Sequence, residues 1–294
     1  MSTVTHILEV IFPPLVFAFT VSGMATMGLQ SRMSEVTAAL MDKKSMALIF
    51  VWGWVLGPAL GYLIAMFLPL AEPYVIGLLL YSLAPCAPFL PVMVGTARGD
   101  VSFAAALVPI VAVGTAVLMP LMGPLMIEGL AISAWDLAKV ILIYILIPLA
   151  LGAALRHYAD TAATKIFPAV NVFAKITTAL TPLVAIVIYW RDMLDTAGSF
   201  ALLSMTIFMV VMGLVSYRRL GFFGLKQNQR SVMSLGMLTR NGSVVLIAAI
   251  AMPDMDPGLI TYVIMFVIAS FVVAAIAARI FGKLAGETVA GNTA

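Results

Sequence analysis

Three observations predict an all-α, polytopic membrane protein of about nine transmembrane helices, arranged as an inverted repeat with two crossing discontinuous helices. The first is composition: 63% of residues are hydrophobic, 10% are charged and the mean hydropathy is +1.12, far outside the range of a soluble domain. The second is a series of apolar runs, each close to the roughly 20 residues that a hydrocarbon core of about 30 Å requires. The third is that two of these runs are interrupted near their middles. Prolines at 85, 88 and 91 fall within one run. They cannot all sit in a continuous helix, because each lacks an amide donor and crowds the preceding turn. A kinked packing helix would explain one proline, not three. A second run is broken by Thr239, Arg240, Asn241, Gly242 and Ser243. Backbone left unpaired at membrane depth survives only when buried in protein or facing a water-filled cavity, and in secondary transporters such breaks serve substrate and ions.

In chain order, the first apolar run covers residues 7 to 30 and carries Pro13 and Pro14. It has neither a basic leader nor a small-residue cleavage site, so it reads as a mature span. A polar stretch with Arg32, Asp42, Lys43 and Lys44 is expected to be amphipathic and interfacial. Span 2 takes about residues 45 to 68, where Gly53, Gly57 and Gly61 line one face for close helix packing. The broken span 3 runs from Pro73 to Ala97, and span 4, about 101 to 125, contains Pro109 and Pro120. Spans 5 to 9 take about residues 135 to 158, 166 to 190, 199 to 217, 231 to 252 (the second broken one) and 257 to 281. The single cysteine, Cys86, excludes an internal disulfide and reads as a small buried filler within the first break.

Charge tests this count. Arg32, Lys43, Lys44, Arg98, Arg156, Lys165, Arg218, Arg219, Lys226, Arg230, Arg279 and Lys283 fall on one side, whereas Lys139 and Arg191 fall on the other. By the positive-inside rule the N-terminus is outside and the C-terminus cytoplasmic, in a cell (inner) membrane. A wrong span count would scramble this segregation. The broken spans are third in the first group of four and third in the last, with span 5 between the groups. The groups are therefore inverted: a first repeat over about 7–125, a linking span over 135–158 and a second repeat over 166–282, together one transporter domain.

Met27-Gly28-Leu29 closing span 1, Pro85 before the first break, Ala97-Arg98-Gly99-Asp100 after it, and Arg240-Asn241 in the second break carry a resemblance to the bile acid:sodium symporter family. That family includes bacterial organic-anion carriers and is related to arsenite efflux carriers. The resemblance implies two crossing broken helices and a smaller panel domain that together give alternating access. The sequence also departs from the family pattern. Where the family has Pro-Gly-Gly and then a Ser-Asn pair, this chain reads Pro85-Cys86-Ala87 and Leu90-Pro91. Gly236 stands where many sodium-coupled members carry a glutamate, and Ala104, Val108, Val111 and Ala112 stand where hydroxyls are usual. Every Asp and Glu lies at a span end or in a loop, which makes the usual sodium coupling doubtful.

A positive site remains. An arginine at a helix centre costs about 2.5 to 3.5 kcal/mol on insertion scales, so Arg240 needs a reason to be there. The expected substrate or ion site comprises Pro88, Phe89, Leu90, Pro91, Gly236, Thr239, Arg240, Asn241 and Ser243. Arg240 either binds a small anionic substrate, replaces the charge of a lost sodium, or satisfies carbonyls freed in span 3. Lys175, about 15 Å into span 6 at 1.5 Å per residue, is a further candidate, although its stem can snorkel toward water. The expected function is secondary transport of a small organic anion. The alternatives are a sodium-coupled symporter whose ion is held by backbone carbonyls, and a non-transporting receptor or scaffold. No metal-ligand cluster, nucleotide loop or catalytic constellation points to an enzyme, a cofactor or a nucleic-acid partner; the expected partners are the substrate and the bilayer, with no obligate protein partner.

Overall fold

The computed structural model describes residues 3–128, 130–196, 198–253 and 256–291. Its helices are α1 (Thr3–Gln30), α2 (Met33–Met41), α3 (Lys43–Phe67), α4 (Glu72–Leu83), α5 (Leu90–Thr96) and α6 (Val101–Met126). They continue with α7 (Ala134–Tyr158), α8 (Asp160–Asp195), α9 (Ala201–Phe222), α10 (Gln227–Leu238), α11 (Gly242–Ile250) and α12 (Pro257–Gly291). Among the described residues seven of these, α1, α3, α6, α7, α8, α9 and α12, are long and apolar enough to cross a membrane. Four of the others form two end-to-end pairs, α4 with α5 and α10 with α11, at the two interruptions read from the sequence. The expected nine spans require each pair to serve as one crossing.

Helix starts are set by side-chain acceptors, because the first amides of a helix have no partner within it. Asp42 accepts from Ser45 N at α3, Asp100 from Phe103 N at α6, and Ser133 from Asp136 N at α7. The short α2 has no buried residue, as befits the interfacial segment expected there.

Several helices run past the expected span ends, α9 to Phe222 and α12 to Gly291, and one extension joins two spans. The polar residues 160–165, expected as loop before span 6, are the first turns of α8, and Ala159 alone separates α8 from α7. The two helices are pinned there by Arg156, which reaches Asp160 at 3.0 Å and Thr164 at 3.1 Å. Hydropathy cannot register helix held by such pairs.

Helices α1, α7 and α8 pack as a panel. α1 and α7 meet at Gly28 and Gly152, where a Cβ on Gly152 would lie 2.5 Å from the Ala25 carbonyl. Glycine is required for backbones this close. Ser22 and Thr177 hydroxyls link α1 to α8 at 3.2 Å, and Phe17 stacks on Tyr144. The other long helices, α3, α6, α9 and α12, surround the two broken pairs and form the core. The panel meets this core where α8 packs on α12, α7 on α6 and on α11, and α1 on α11, and where the Thr196 hydroxyl just beyond α8 lies 3.2 Å from Met265 sulfur in α12.

The halves of the chain share irregularities. The second helix of each expected repeat contains a π turn, Val51–Leu56 in α3 and Val211–Val215 in α9, and the third is broken. α7 carries another π turn at Leu142–Leu146.

Candidate substrate and ion site at the helix crossing

The two breaks lie against each other. Pro85 and Arg240 form an isolated antiparallel bridge, tied by hydrogen bonds from Cys86 N to Gly236 O (2.8 Å) and Thr239 O (3.0 Å), and from Asn241 N to Ala84 O (2.8 Å). Each break therefore supplies what the other lost. α4 ends in an apolar interior, where unpaired carbonyls cost free energy comparable to a lost hydrogen bond. Tyr81 O accepts from Ala84 N, Ser82 O from Arg240 Nη1 at 3.0 Å, and Leu83 O from the Trp54 indole at 3.1 Å. Cys86 adopts φ 68, a left-handed conformation that side chains seldom take, and its position in the bridge holds it there.

The second break is closed partly by its own side chains, beside the Cys86 amide on its Gly236 and Thr239 carbonyls. The Thr239 hydroxyl donates to Leu235 O at 2.7 Å and accepts from Ala87 N at 3.3 Å. The Asn241 carboxamide oxygen accepts from Val244 N and from the Ser243 hydroxyl, capping α11.

Arg240 is 1% exposed. Its guanidinium lies 4.8 Å from the Phe208 ring centroid, a cation–π contact, besides its bond to Ser82. Nε and Nη2 have no hydrogen-bond partner, and none of the ion pairs among the described residues includes Arg240. Those two nitrogens share one edge of the guanidinium plane, the edge that can present parallel donors to a carboxylate. Gly57 of α3 borders it: a Cβ there would lie 2.7 Å from Nη2. The glycine stripe read from the sequence thus packs against the crossing, with Gly53 on Pro85, Gly57 on Arg240 and Gly61 on Ser82.

A comparison with protein families matches the Sodium Bile acid symporter family over residues 15–195. The chain belongs to this family. No curated protein matches it. The family match spans α1 to α8 and includes the first break, whereas the second break lies beyond it. A family of carriers fits a multi-pass membrane protein with a transport function.

Of the expected site residues, the structure gathers Leu90, Gly236, Thr239, Arg240, Asn241 and Ser243, all buried. Pro88, Phe89 and Pro91 are half-buried, and Phe89 packs edge-on against Phe271 of α12. Lys175 is exposed on α8, in the panel, and is not part of the crossing. Gly236, expected from the family resemblance to replace a glutamate, faces Leu90, Leu107 and the Cys86 thiol, an apolar surrounding. Among the described residues no cluster of three or more His, Cys, Asp or Glu could hold a metal ion. Sequence reasoning missed Ser82, Trp54 and Phe208. Indole donors and aromatic faces carry no local pattern; the glycine stripe that places α3 against the crossing was the available signal for Trp54.

Proposed function

We propose that this chain carries a small organic anion across the membrane by alternating access around the crossing of α4–α5 with α10–α11, and that Arg240 supplies the positive charge there in place of a sodium ion. The observation that supports this most is the unpaired edge of Arg240: a buried cation with two donors that have no partner, bordered by Gly57. A carboxylate or similar anion satisfies both donors at once, and charge-assisted pairs of this kind are the stronger hydrogen bonds. The backbone carbonyls that would hold a sodium without side-chain help already accept from the chain itself: Ser82 from Arg240, Leu83 from Trp54, Gly236 and Thr239 from Cys86 N. A permanent guanidinium in their midst also repels a cation.

The division into panel and core supports the alternating-access part of the reading. The crossing is tied by backbone bonds and moves as one piece, while the panel is held within itself by Gly28–Gly152 and Ser22–Thr177. Relative motion of two such bodies exposes the site to one side at a time.

Thermal stabilisation of the purified protein by a panel of organic acids and bile salts, run in sodium and in choline, tests the site. A ligand that binds the folded state raises its apparent stability by mass action. A shift equal in both salts, lost in Arg240→Ala, is expected; a shift confined to sodium overturns the sodium-independent reading in favour of a symporter. Counterflow of the stabilising anion in proteoliposomes then separates a carrier from a non-transporting receptor.

A further inference from the structure

The end of α9 and the turn into α10 carry a second concentration of unbalanced positive charge, far from Arg240 along α9. Between Asp195 and Asp254 the sequence has no carboxylate, yet it contains Arg218, Arg219, Lys226 and Arg230 in one short segment. Their setting is defined by α9 itself. Leu214 and Val215 are 41% and 44% exposed, apolar side chains open to lipid. One turn further on the same face, at i+4, stand Arg218 and Arg219, both exposed. A face that changes from exposed Leu and Val to exposed Arg within one turn crosses from acyl chains to headgroups.

Beyond the arginines, Phe222 is 81% exposed and Phe223 48%. Two open phenylalanines beside four cations are costly in water and favourable at an interface, where the rings reach the acyl boundary and the cations reach phosphate. The turn is compact: Gly224 has φ 70, and a Cβ on it would lie 3.1 Å from Lys44 Nζ, so a fifth cation from the start of α3 joins the group. Arg230 lies over the Tyr217 ring at 5.0 Å with a buried Nε that has no partner. The ion pairs among the described residues involve none of these cations. The nearest carboxylate to Lys44 in the chain, Asp42, is engaged in capping α3 through Ser45.

We infer that Arg218, Arg219, Lys226 and Lys44 form a binding site for the phosphate headgroup of an anionic phospholipid in the leaflet on that side, with Phe222 and Phe223 against its acyl chains. Phosphate accepts from several donors at once, and guanidinium forks suit it. Basic clusters at the membrane edge bind anionic lipid in this way.

The test uses the full chain in neutral detergent, titrated with phosphatidylglycerol or with phosphatidylcholine of the same acyl chains, read by melting temperature and by lipid retained in native mass spectra. Phosphatidylglycerol is expected to raise the melting temperature and stay bound where phosphatidylcholine does not. Arg218→Gln and Arg219→Gln should each weaken that binding by about fivefold. Both residues are exposed, so the variants fold; Lys165→Gln, a cation at the start of α8, should change nothing. Equal effects of the two lipids, or unchanged binding in both arginine variants, overturn the site. An equal effect of inorganic phosphate alone overturns the lipid assignment and leaves a soluble-phosphate site.

Discussion

The two broken helices solve one problem in opposite ways. The first break is made by proline, and proline takes donors away, so the carbonyls of Ser82, Leu83 and Ala84 just before it rely on groups brought from elsewhere: the Arg240 guanidinium, the Trp54 indole and the Asn241 amide. The second break contains no proline and is made by polar residues. Thr239 bonds back to Leu235, Asn241 caps α11, and Ser243 bonds Asn241. A break made by removing donors is completed by side chains and backbone of its neighbours, whereas one made by polar residues completes part of itself, takes only the Cys86 amide on its Gly236 and Thr239 carbonyls, and gives Arg240 in return. Substitutions that remove the donors borrowed by the first break should therefore propagate between helices, while those of the Asn241 and Ser243 side chains, which bond within their own segment, should stay local.

The largest effect is expected at the residue the two breaks share. Arg240→Ala should abolish anion-dependent stabilisation and transport, and the Ser82 carbonyl left unpaired should cost about 1–3 kcal/mol, read as a lowered melting temperature. Arg240→Lys keeps the charge but loses the two-donor edge; unchanged binding in it would show that charge alone matters. Next comes Gly57→Ala, which places a methyl 2.7 Å from Nη2 and should cost about 1–3 kcal/mol and weaken anion binding, although residue 57 belongs to neither break. Binding as tight as in the parent would place the anion elsewhere.

Trp54→Phe, which leaves Leu83 O without its indole donor, should destabilise by about 1–3 kcal/mol, more than Asn241→Ala, which loses a cap worth about 1 kcal/mol. If Asn241→Ala proves the costlier, the contrast between borrowed and local completion fails. The smallest effect belongs to Lys175→Gln. With its side chain exposed on α8, it should leave anion stabilisation unchanged in the same titration.

Both breaks were legible in the sequence because each departs from the surrounding apolar pattern, by three prolines in one case and by Thr239 to Ser243 in the other. The spacing of Gly53, Gly57 and Gly61 likewise announced a packing face, though not what it packs on. What could not be read has a common cause: it depends on residues far apart in the chain. The indole of Trp54 and the carbonyl of Leu83 share no periodicity, and neither do Phe208 and Arg240. Gly152 carries no local signal, and the packing role of Gly28 shows only beside it. The π turns in α3, α7 and α9 leave hydropathy unchanged, so a span looks the same with or without one.

The bond from Arg240 to Ser82 joins residues 158 apart in the chain. At synthesis rates of about 5–20 residues per second, roughly 10–30 s separate the emergence of the two. During that interval the end of α4 has neither the guanidinium nor the Asn241 amide that later complete it, although Trp54 is already made. The first broken helix is thus an unfinished insertion intermediate for most of the protein's synthesis, and its carbonyls must be held by water, lipid headgroups or the insertion machinery until the second break arrives to lock both in place.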